Sequence, residues 1–581
     1  MQLTRRALSA MAVVVSVASL ACGGDSATAP SAPNPVIGAS VTSKSTSSVT
    51  ISFTSTTGDG SYDIERAEGA TGTYATVTKM VAPTTAGTVT YTDNGLKANT
   101  LYRYRIYTNR GSARSIASGE TTITTLGFGN AAATITTDIT ANRTFTADTA
   151  YTLSGFIHVV NGATLTIQPG TIIKGDFNVL GSALFIMRGA KIQAVGTVDA
   201  PIVFTSSRAS GQRQPGDWGG LLLIGNALNN RSGSVSIEGS GTDGNAVVSG
   251  KNYTIIYNGG TTATDNSGTL SYVRVEFAGF APIQDNEFNS FTFAAVGSGT
   301  RASYLQSLDG LDDSYEFFGG GFDLDHLVAY ETADDVLDMS EGFSGRVQFV
   351  VAQSTVQLVP RTGAGFYSVD LEGIENDGCA GTGCDLGFNS APYTLPLIAN
   401  FTLIGCGQPS CVGPGGGHGM MIRRGSGGYY VNGVLARWPT DGVSLRDAAT
   451  YARAGSVAAP STSADLQIRN VFFAETNNLM FQASSATQNS LDATANNLTL
   501  STATAASLFT AIPAVGSAPT SVNAFDFTPA AGSPIATGGL ATFTGAIATK
   551  AGTFVTPTSY MGGVAPNGPK WFQGWTAYYR N

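Results

Sequence analysis

Leu311-Asp-Asp-Ser-Tyr-Glu-Phe-Phe-Gly-Gly320 and Ala333-Asp-Asp-Val-Leu-Asp-Met-Ser-Glu-Gly342 are two copies of one design, set 22 residues apart. At the same offset Tyr304-Leu305 overlays His326-Leu327, and Gln348-Phe349 follows once more. Short β-forming runs closed by Gly and Asp at this period predict one coil of a parallel β-helix per repeat, with rungs stacked about 4.8 Å apart. Working outward, Ala163–Ile173 and Ala190–Phe204 repeat the strand, tight turn, strand pattern. Coiling over most of residues 128–560 predicts roughly 12 to 18 turns and a rod ~60 to 85 Å long. The Gly/Asn-rich stretch from Ala227 to Thr269 reads as a projecting loop. Trp571 and Trp575 are expected to cover the last coil, whose open strand edges need a cap.

Composition agrees with an all-β chain. Of 581 residues, 72 are glycine and only 12% are charged, and Lys and Glu are too scarce for long solvated helices. A formal net charge of −9 argues against nucleic acid, which needs basic patches to displace counterions. It suits cations, neutral glycans or cationic partners instead.

The chain opens with Arg5 and Arg6 before an apolar run from Ala7 to Ala21, too short to span a bilayer and followed by small residues. Residues 1–21 therefore read as a secretory signal peptide. Ser19-Leu20-Ala21-Cys22 resembles a bacterial lipoprotein cleavage box, with Ser19 where leucine is usual. The resemblance implies lipidation of Cys22, a tether over residues 22–35, and an outer-membrane, surface-exposed lipoprotein held by its lipid alone. The other reading is ordinary signal cleavage. The remaining four cysteines, Cys379 with Cys384 and Cys406 with Cys411, read as two disulfides in an exported protein. Local pairing is favoured and cross-pairing stays open. No histidine has zinc-ligand spacing to them.

Residues 36–126 resemble the fibronectin type III module. The strand Ser48-Val-Thr-Ile-Ser-Phe53 alternates, with Phe53 where the family usually has tryptophan. Ser61–Arg66 reads as the next central strand, and Leu96–Ile106 places Tyr102 at the tyrosine-corner position, with Ala98 for the usual proline. The resemblance implies a spacer or a binding surface, and no Arg-Gly-Asp sequence occurs. Residues 127–581 resemble a family of secreted bacterial β-helix lipoproteins, often labelled multidrug transporters. The likeness is carried by Pro215–Gly220, Leu270–Gly279, Asp312–Gly320, His326–Tyr330, Gly345–Phe349, Met421–Arg424 and Trp571–Thr576. It implies a right-handed, pectate-lyase-like solenoid with a C-terminal cap, and no particular activity.

Chemistry concentrates in the acidic repeat. Asp309 overlays Glu331, Asp312 overlays Asp334, Asp313 overlays Asp335, and Glu316 overlays Asp338. Stacked rungs bring each pair within about 5 to 6 Å, where two carboxylates repel by roughly 1 kcal/mol in water and more when desolvated. These eight residues are candidate Ca²⁺ ligands, calcium being a hard cation that takes six to eight oxygens. The alternative is an exposed ridge of turn-capping Asp.

A catalytic reading uses Asp313 or Asp335 as general acid with His418 and Arg423 or Arg424 assisting, as in glycoside hydrolysis. Its weakness is the spacing from Asp335 to His418, equivalent to nearly four 22-residue coils. A lyase would instead use Arg346 or Arg361 beside calcium. Tyr429, Tyr430 and Trp438 are a candidate sugar-stacking strip, although packing is the commoner role of such residues. Trp218 reads as a turn or cap residue. Taken together, the residues predict a surface scaffold that binds extracellular polysaccharide or a surface protein. A polysaccharide lyase or hydrolase acting through residues 309–341 is the rival.

Overall fold

The computed structural model describes residues 31–578 apart from 241–246, 249–250, 253, 283–285, 361, 364–365, 367, 369, 456–460, 483–487, 518 and 520. The signal segment, Cys22 and Arg361 lie outside the described residues. The chain divides into two compact units after Leu126.

The first unit is a two-sheet β-structure. Alternation in Ser48–Thr54 turns Val49, Ile51 and Phe53 inward, where they meet Tyr62, Ile64, Tyr102, Tyr104 and Ile106 of the facing sheet. One antiparallel sheet orders Ser40–Lys44, Ser48–Thr54 and Thr88–Asn94. The other orders Ala75–Val81, Ser61–Glu68 and Leu101–Arg110, the last paired with Ala113–Arg114 and Thr121–Thr124. Phe53 fills the core edge-to-face on Tyr62 at 4.9 Å. The Tyr102 hydroxyl accepts the Lys97 N–H at 2.9 Å, the corner bond of sandwich domains.

The second unit is a parallel β-helix, right-handed as such crossovers are. One long sheet runs rung by rung from Ala131–Ile135 through Gly268–Glu276, Arg301–Gly310, Asp323–Thr332, Arg346–Gln353, Leu397–Ile404, Gly428–Ala436 and Leu466–Ala474 to Thr499–Ser501. A second sheet starts at Phe156–Val159. It continues through Phe291–Ala294, Tyr315–Phe318, Leu337–Ser340, Ile374–Asp377, His418–Arg423 and Asp441–Arg446. Between the sheets lies one apolar core, in which Phe291 stacks on Tyr315 at 5.2 Å and Phe293 on Phe317 at 5.3 Å. Trp218 is part of this core rather than a cap. It is fully buried, and its Nε1 donates to the Glu276 carbonyl at 2.8 Å.

The long sheet bends at one column of left-handed residues. In an early coil two strands, Lys191–Val195 and Ile202–Ser206, lie under the single strand Gly268–Glu276, either side of Tyr272. From there on the bend is one residue per rung: Tyr272, Tyr304, His326, Phe349, Asn400, Asn432 and Asn470, all with φ between 51° and 65°. Asparagine tolerates this conformation because its amide bonds locally. The aromatic rungs compensate by stacking, Tyr272 on Tyr304 and Tyr304 on His326, each at 4.4 Å.

The C-terminal segment covers this column, and here the expectation of a cap on the last coil is corrected. Residues 538–578 run back along the flank, against the coil order. Asn470 Nδ2 donates to the Gly538 carbonyl, and the Leu540 N–H donates to Asn432 Oδ1. Asn400 Nδ2 donates to Thr558 Oγ1, and Gln348 exchanges two hydrogen bonds with the Thr556 backbone. Trp571 then sits edge-on to His326, and Trp575 edge-on to Tyr272 and Tyr304. Finally Gln306 exchanges two hydrogen bonds with the Ala577 backbone. The tryptophans face the flank because that is where unsatisfied amides and aromatic faces are exposed. Both disulfides are local, Cys379–Cys384 and Cys406–Cys411, each closing a loop after a strand end.

Trp575 is 1% exposed. Its replacement by alanine removes a large buried ring and is expected to cost about 3 kcal/mol. Denaturant unfolding of Trp575→Ala reads this directly, and an unchanged midpoint would show that the segment contributes nothing to the stability of the coils beneath it.

Candidate functional site

On the outer side of the second sheet, register places like residues on like. In Tyr315–Phe318 the residues Tyr315 and Phe317 face the core, which leaves Glu316 outward. Leu337 and Met339 do the same for Asp338, and Ile374 does so for Glu375. Thr292, Glu316, Asp338, Glu375 and Met421 thus form one column. A second column lies three residues earlier, in the turns that enter these strands. There the Asp313 N–H donates to Asn289 Oδ1 (3.2 Å), Asp335 N–H to Asp313 Oδ1 (2.8 Å), and Glu372 N–H to Asp335 Oδ1 (2.9 Å). Asp313 and Asp335 therefore each hold the backbone of the next rung with one oxygen and leave the other for their neighbours. A third column passes from Ser340 and Asp377 to Arg423 and Arg446.

Asp313, Asp335, Glu316 and Glu372 are all buried. Burial raises the carboxyls of Asp312, Asp313, Glu316, Asp335, Asp338 and Glu372 well above the ordinary range, and neighbouring carboxylates add to it. Burial also lifts Asp334 to about 6, and lifts Glu375 and Glu238 to about 8. Glu238 and Glu287, from segments folded over the column, belong to the same field. Positive charge is present at the margins: Arg423 Nε donates to Asp377 Oδ1 at 2.8 Å and its Nη2 pairs with Glu375, while Arg424 also pairs with Asp377. Arg231 pairs with Glu341 at 2.5 Å.

Three sets of acids bring one oxygen each to within 4.8 Å of one another: Asp312 with Asp313 and Asp334, Asp313 with Glu316 and Asp338, and Asp334 with Asp335 and Glu372. Oxygens gathered within that bound are close enough to share one hard divalent cation. The donor set is all oxygen, as calcium requires. Glu316 Oε1, Asp338 Oδ1 and Glu372 Oε1 are buried without a hydrogen-bond donor among the described residues. An unpaired buried carboxylate oxygen is costly unless a cation or proton meets it. A cavity of about 220 Å³ opens beside the column, walled by Asp334, Asp335, Asp338, Glu375, Arg423 and Arg446.

The structure divides the sequence-derived ligand set. Asp312, Asp313, Glu316, Asp334, Asp335 and Asp338 come together, whereas Glu331 is turned to the other flank. There it accepts from the Thr355 N–H (2.8 Å), the Thr355 hydroxyl (2.7 Å) and the Tyr578 hydroxyl (2.7 Å). Asp309 and Glu331 both follow the bend of the long sheet, with φ of 51° and 58°, and neither joins the three sets. Glu372 and Glu375 join the site without having been foreseen. Their signal was present: Asp313-Ser-Tyr-Glu316, Asp335-Val-Leu-Asp338 and Glu372-Gly-Ile-Glu375 share one pattern, acid, two residues, acid. The third copy escapes a fixed 22-residue comb because its coil is 37 residues long.

The same variable coil length corrects the expected distance of His418. Two rungs, not nearly four, separate Asp338 from Met421, and His418 continues the column of Asp313, Asp335 and Glu372. Its ring is buried and held at both ends: Nδ1 lies 2.9 Å from Asp441 Oδ1, and Nε2 lies 3.3 Å from an Arg446 nitrogen. Because the arginine can only donate, Nε2 accepts and Nδ1 carries the proton. Arg346 is elsewhere, in a two-pronged pair with Asp323 at 2.6 and 2.7 Å. Tyr430 and Trp438 are core residues, so no exposed stacking strip exists with Tyr429.

Residues 137–517 match the profile of a family described as a pectate-lyase like beta helix domain. Among solved structures, the Family 28 exopolygalacturonase of Yersinia enterocolitica is 11% identical over 77% of this chain and 92% of that one, with a TM-score of 0.21. Pectate lyase Pel3 of Pectobacterium carotovorum is 11% identical over 60% and 87%, with a TM-score of 0.14. Domains A168–A170 of titin are 20% identical over 16% of this chain, with a TM-score of 0.15. The chain spans about a third (32%) of that structure. No curated protein matches the sequence.

Carboxyls raised in the folded state bind more protons there than in the unfolded chain, so their contribution is present in acid and is lost as the pH rises. With divalent cations chelated, the cluster is expected to lower stability progressively between about pH 4, the ordinary carboxylate range, and about 8. The urea midpoint followed from pH 5 to 8 measures this, with Asp313→Asn/Asp338→Asn flattening the slope. A wild-type midpoint that climbs steeply over the same range would contradict it.

Proposed function

The chain belongs to the pectate-lyase-like beta-helix domain family, and we propose that within this fold it acts as a surface scaffold binding extracellular polymer. In this reading Cys22 carries a lipid at the outer membrane and residues 36–126 form a fibronectin type III spacer. The acidic columns hold calcium as a staple between rungs, and the partner is an extracellular polysaccharide or a surface protein. One observation carries the reading: the acids are engaged in holding rungs together. Asp313 and Asp335 each accept the next rung's N–H. His418 is locked between Asp441 and Arg446, and Arg423 and Arg424 are both tied to Asp377. Groups fixed in this way are poor candidates for proton transfer to a substrate, which needs hydrogen-bond reach to the reacting atom. They are well suited to coordinate a cation that makes up for their mutual repulsion.

The calcium ligands in this reading are Asp312, Asp313, Glu316, Asp334, Asp335 and Asp338 with Glu372. A bound ion would supply positive charge to the column, and the residues would keep their backbone hydrogen bonds to adjacent rungs. A polysaccharide lyase or hydrolase is the second reading. It is favoured by the cavity in which Asp334, Asp335 and Asp338 converge with Arg423.

Adding calcium to chelated protein at pH 7.5 is expected to raise the melting temperature by several degrees, about 2 kcal/mol or more at a hundredfold excess over Kd. Asp313→Asn/Asp338→Asn should abolish the response. Absence of any calcium-induced shift would remove the staple. In parallel, the protein is incubated with acidic and neutral polysaccharides: retention on an insoluble glycan without product formation fits the scaffold. Release of reducing ends or unsaturated products that is lost in Asp335→Ala establishes the enzyme instead.

A further inference from the structure

A second cavity of about 740 Å³ lies on the flank of the long sheet, away from the acidic columns. It is walled by Ser298, Asp323, Ser344, Arg346, Tyr429 and Ser463 of the β-helix, and by Thr549 and Lys550 of the Gly545–Ala551 helix. Its volume falls within the range of small-molecule sites, about 300–1,000 Å³. Its charge is opposite in sign to that of the chain as a whole. Asp323 is already neutralised by Arg346, whose Nε and Nη2 meet both carboxylate oxygens. The remaining guanidinium nitrogen donates to the Ala551 carbonyl at 2.9 Å, fixing the helix against the strand. Gly552 follows in the left-handed region (φ 54°), and a Cβ there would lie 2.8 Å from that guanidinium. Lys550 is left as the surplus cation. Its amine donates to the Ser344 carbonyl and has no carboxylate within ion-pair distance among the described residues.

We propose that this cavity binds a polyhydroxylated anion of monosaccharide size, its acidic group on Lys550 and its hydroxyls on the surrounding serine and threonine side chains. The net charge of the lining calls for one negative group, and Ser298, Ser344, Ser463 and Thr549 offer donors and acceptors that suit hydroxyls. The Tyr429 side chain, packed under the helix with Leu397 and Ile547, adds an apolar wall. The biological sense of the site rests on the polymer-binding reading, but occupancy by a free sugar acid does not. Burial and the nearby Arg346 push the Lys550 amine down to about 8, while Asp323 opposes them. The ammonium form, and with it the anion affinity, is therefore lost as the pH rises through that value. The other groups facing it are Arg346, paired with Asp323, and Tyr429, raised above its ordinary value by burial with Asp465 behind it.

The test is calorimetric titration of the whole chain with glucuronate, glucose 6-sulfate and glucose at pH 7, repeated on Lys550→Met and Lys550→Arg. Either acid should bind and glucose should not, and preference between the acids tells whether a carboxylate or a sulfate is read. Lys550→Met should weaken binding by about tenfold or more, the loss of a charge-assisted contact, and Lys550→Arg should restore most of it. Affinity should fall between pH 7 and 9. Binding of neither acid, equal binding of glucose, or affinity unchanged in Lys550→Met overturns the assignment. A positive titration with no retention on any polysaccharide would overturn the polysaccharide-binding form of the reading and leave this site standing.

Discussion

The structure depends on the hydrogen bonding of parallel rungs. Once strands stack in register, a side chain has no choice of neighbour: the residue at the same position one coil away lies about 4.8 Å above it. Every chemical feature of the second unit is this constraint applied to a different residue type. Phenylalanine on phenylalanine gives the stacked core of Phe291, Phe293, Tyr315 and Phe317. Asparagine on asparagine gives a bend column ready to bond a covering segment. Acid on acid gives buried like charge, which in the absence of a counter-charge is the one arrangement that opposes its own stacking.

That opposition explains why the acidic columns are so particular in detail. One oxygen of Asp313 and one of Asp335 is satisfied by a backbone N–H from the next rung, so the pair is bound across the gap that its charges would widen. Among the described residues arginine enters at the margin, through Asp377, Glu375 and Glu341. The centre of the field, Asp312 to Glu372, is left to protons or to a cation. This differs from an ordinary surface acidic patch, where solvent screens the repulsion and little energy is at stake.

Much of this was legible in the sequence. The doubled Asp-Asp motif fixed the coil period locally, and alternation in Ser48–Phe53 gave the inward face of the first unit. Six of eight expected ligands converge because they lie in the turn and strand of one sheet. Asp309 and Glu331 do not, since a side chain three or more residues nearer the preceding bend leaves on another face of the coil. Sequence period could not reveal this, because it sets height along the rod but not angle around it. It failed for Glu372, Glu375 and His418 for a complementary reason. Loops of unequal length, which make successive coils 37 and 46 residues long, change the count along the chain without changing the rise per coil. The flank position of Trp571 and Trp575 was equally hidden, since aromatic residues near a C-terminus say that something is covered and not what.

The direction of the C-terminal segment has a consequence for the order of events. Residues 538–578 retrace the helix from Asn470 back to Tyr272, so the flank of the early coils is sealed by residues that follow the last coil. A chain that emerges from its N-terminus forward can stack coil upon coil as it appears, yet Tyr272, Tyr304 and Gln306 stay uncovered until Trp575 and Ala577 arrive. Closure of the flank thereby waits on a segment that comes after the rungs it covers: without residues 538–578 the rungs would remain, and a stripe of aromatic rings and unsatisfied amides would lie exposed along one side.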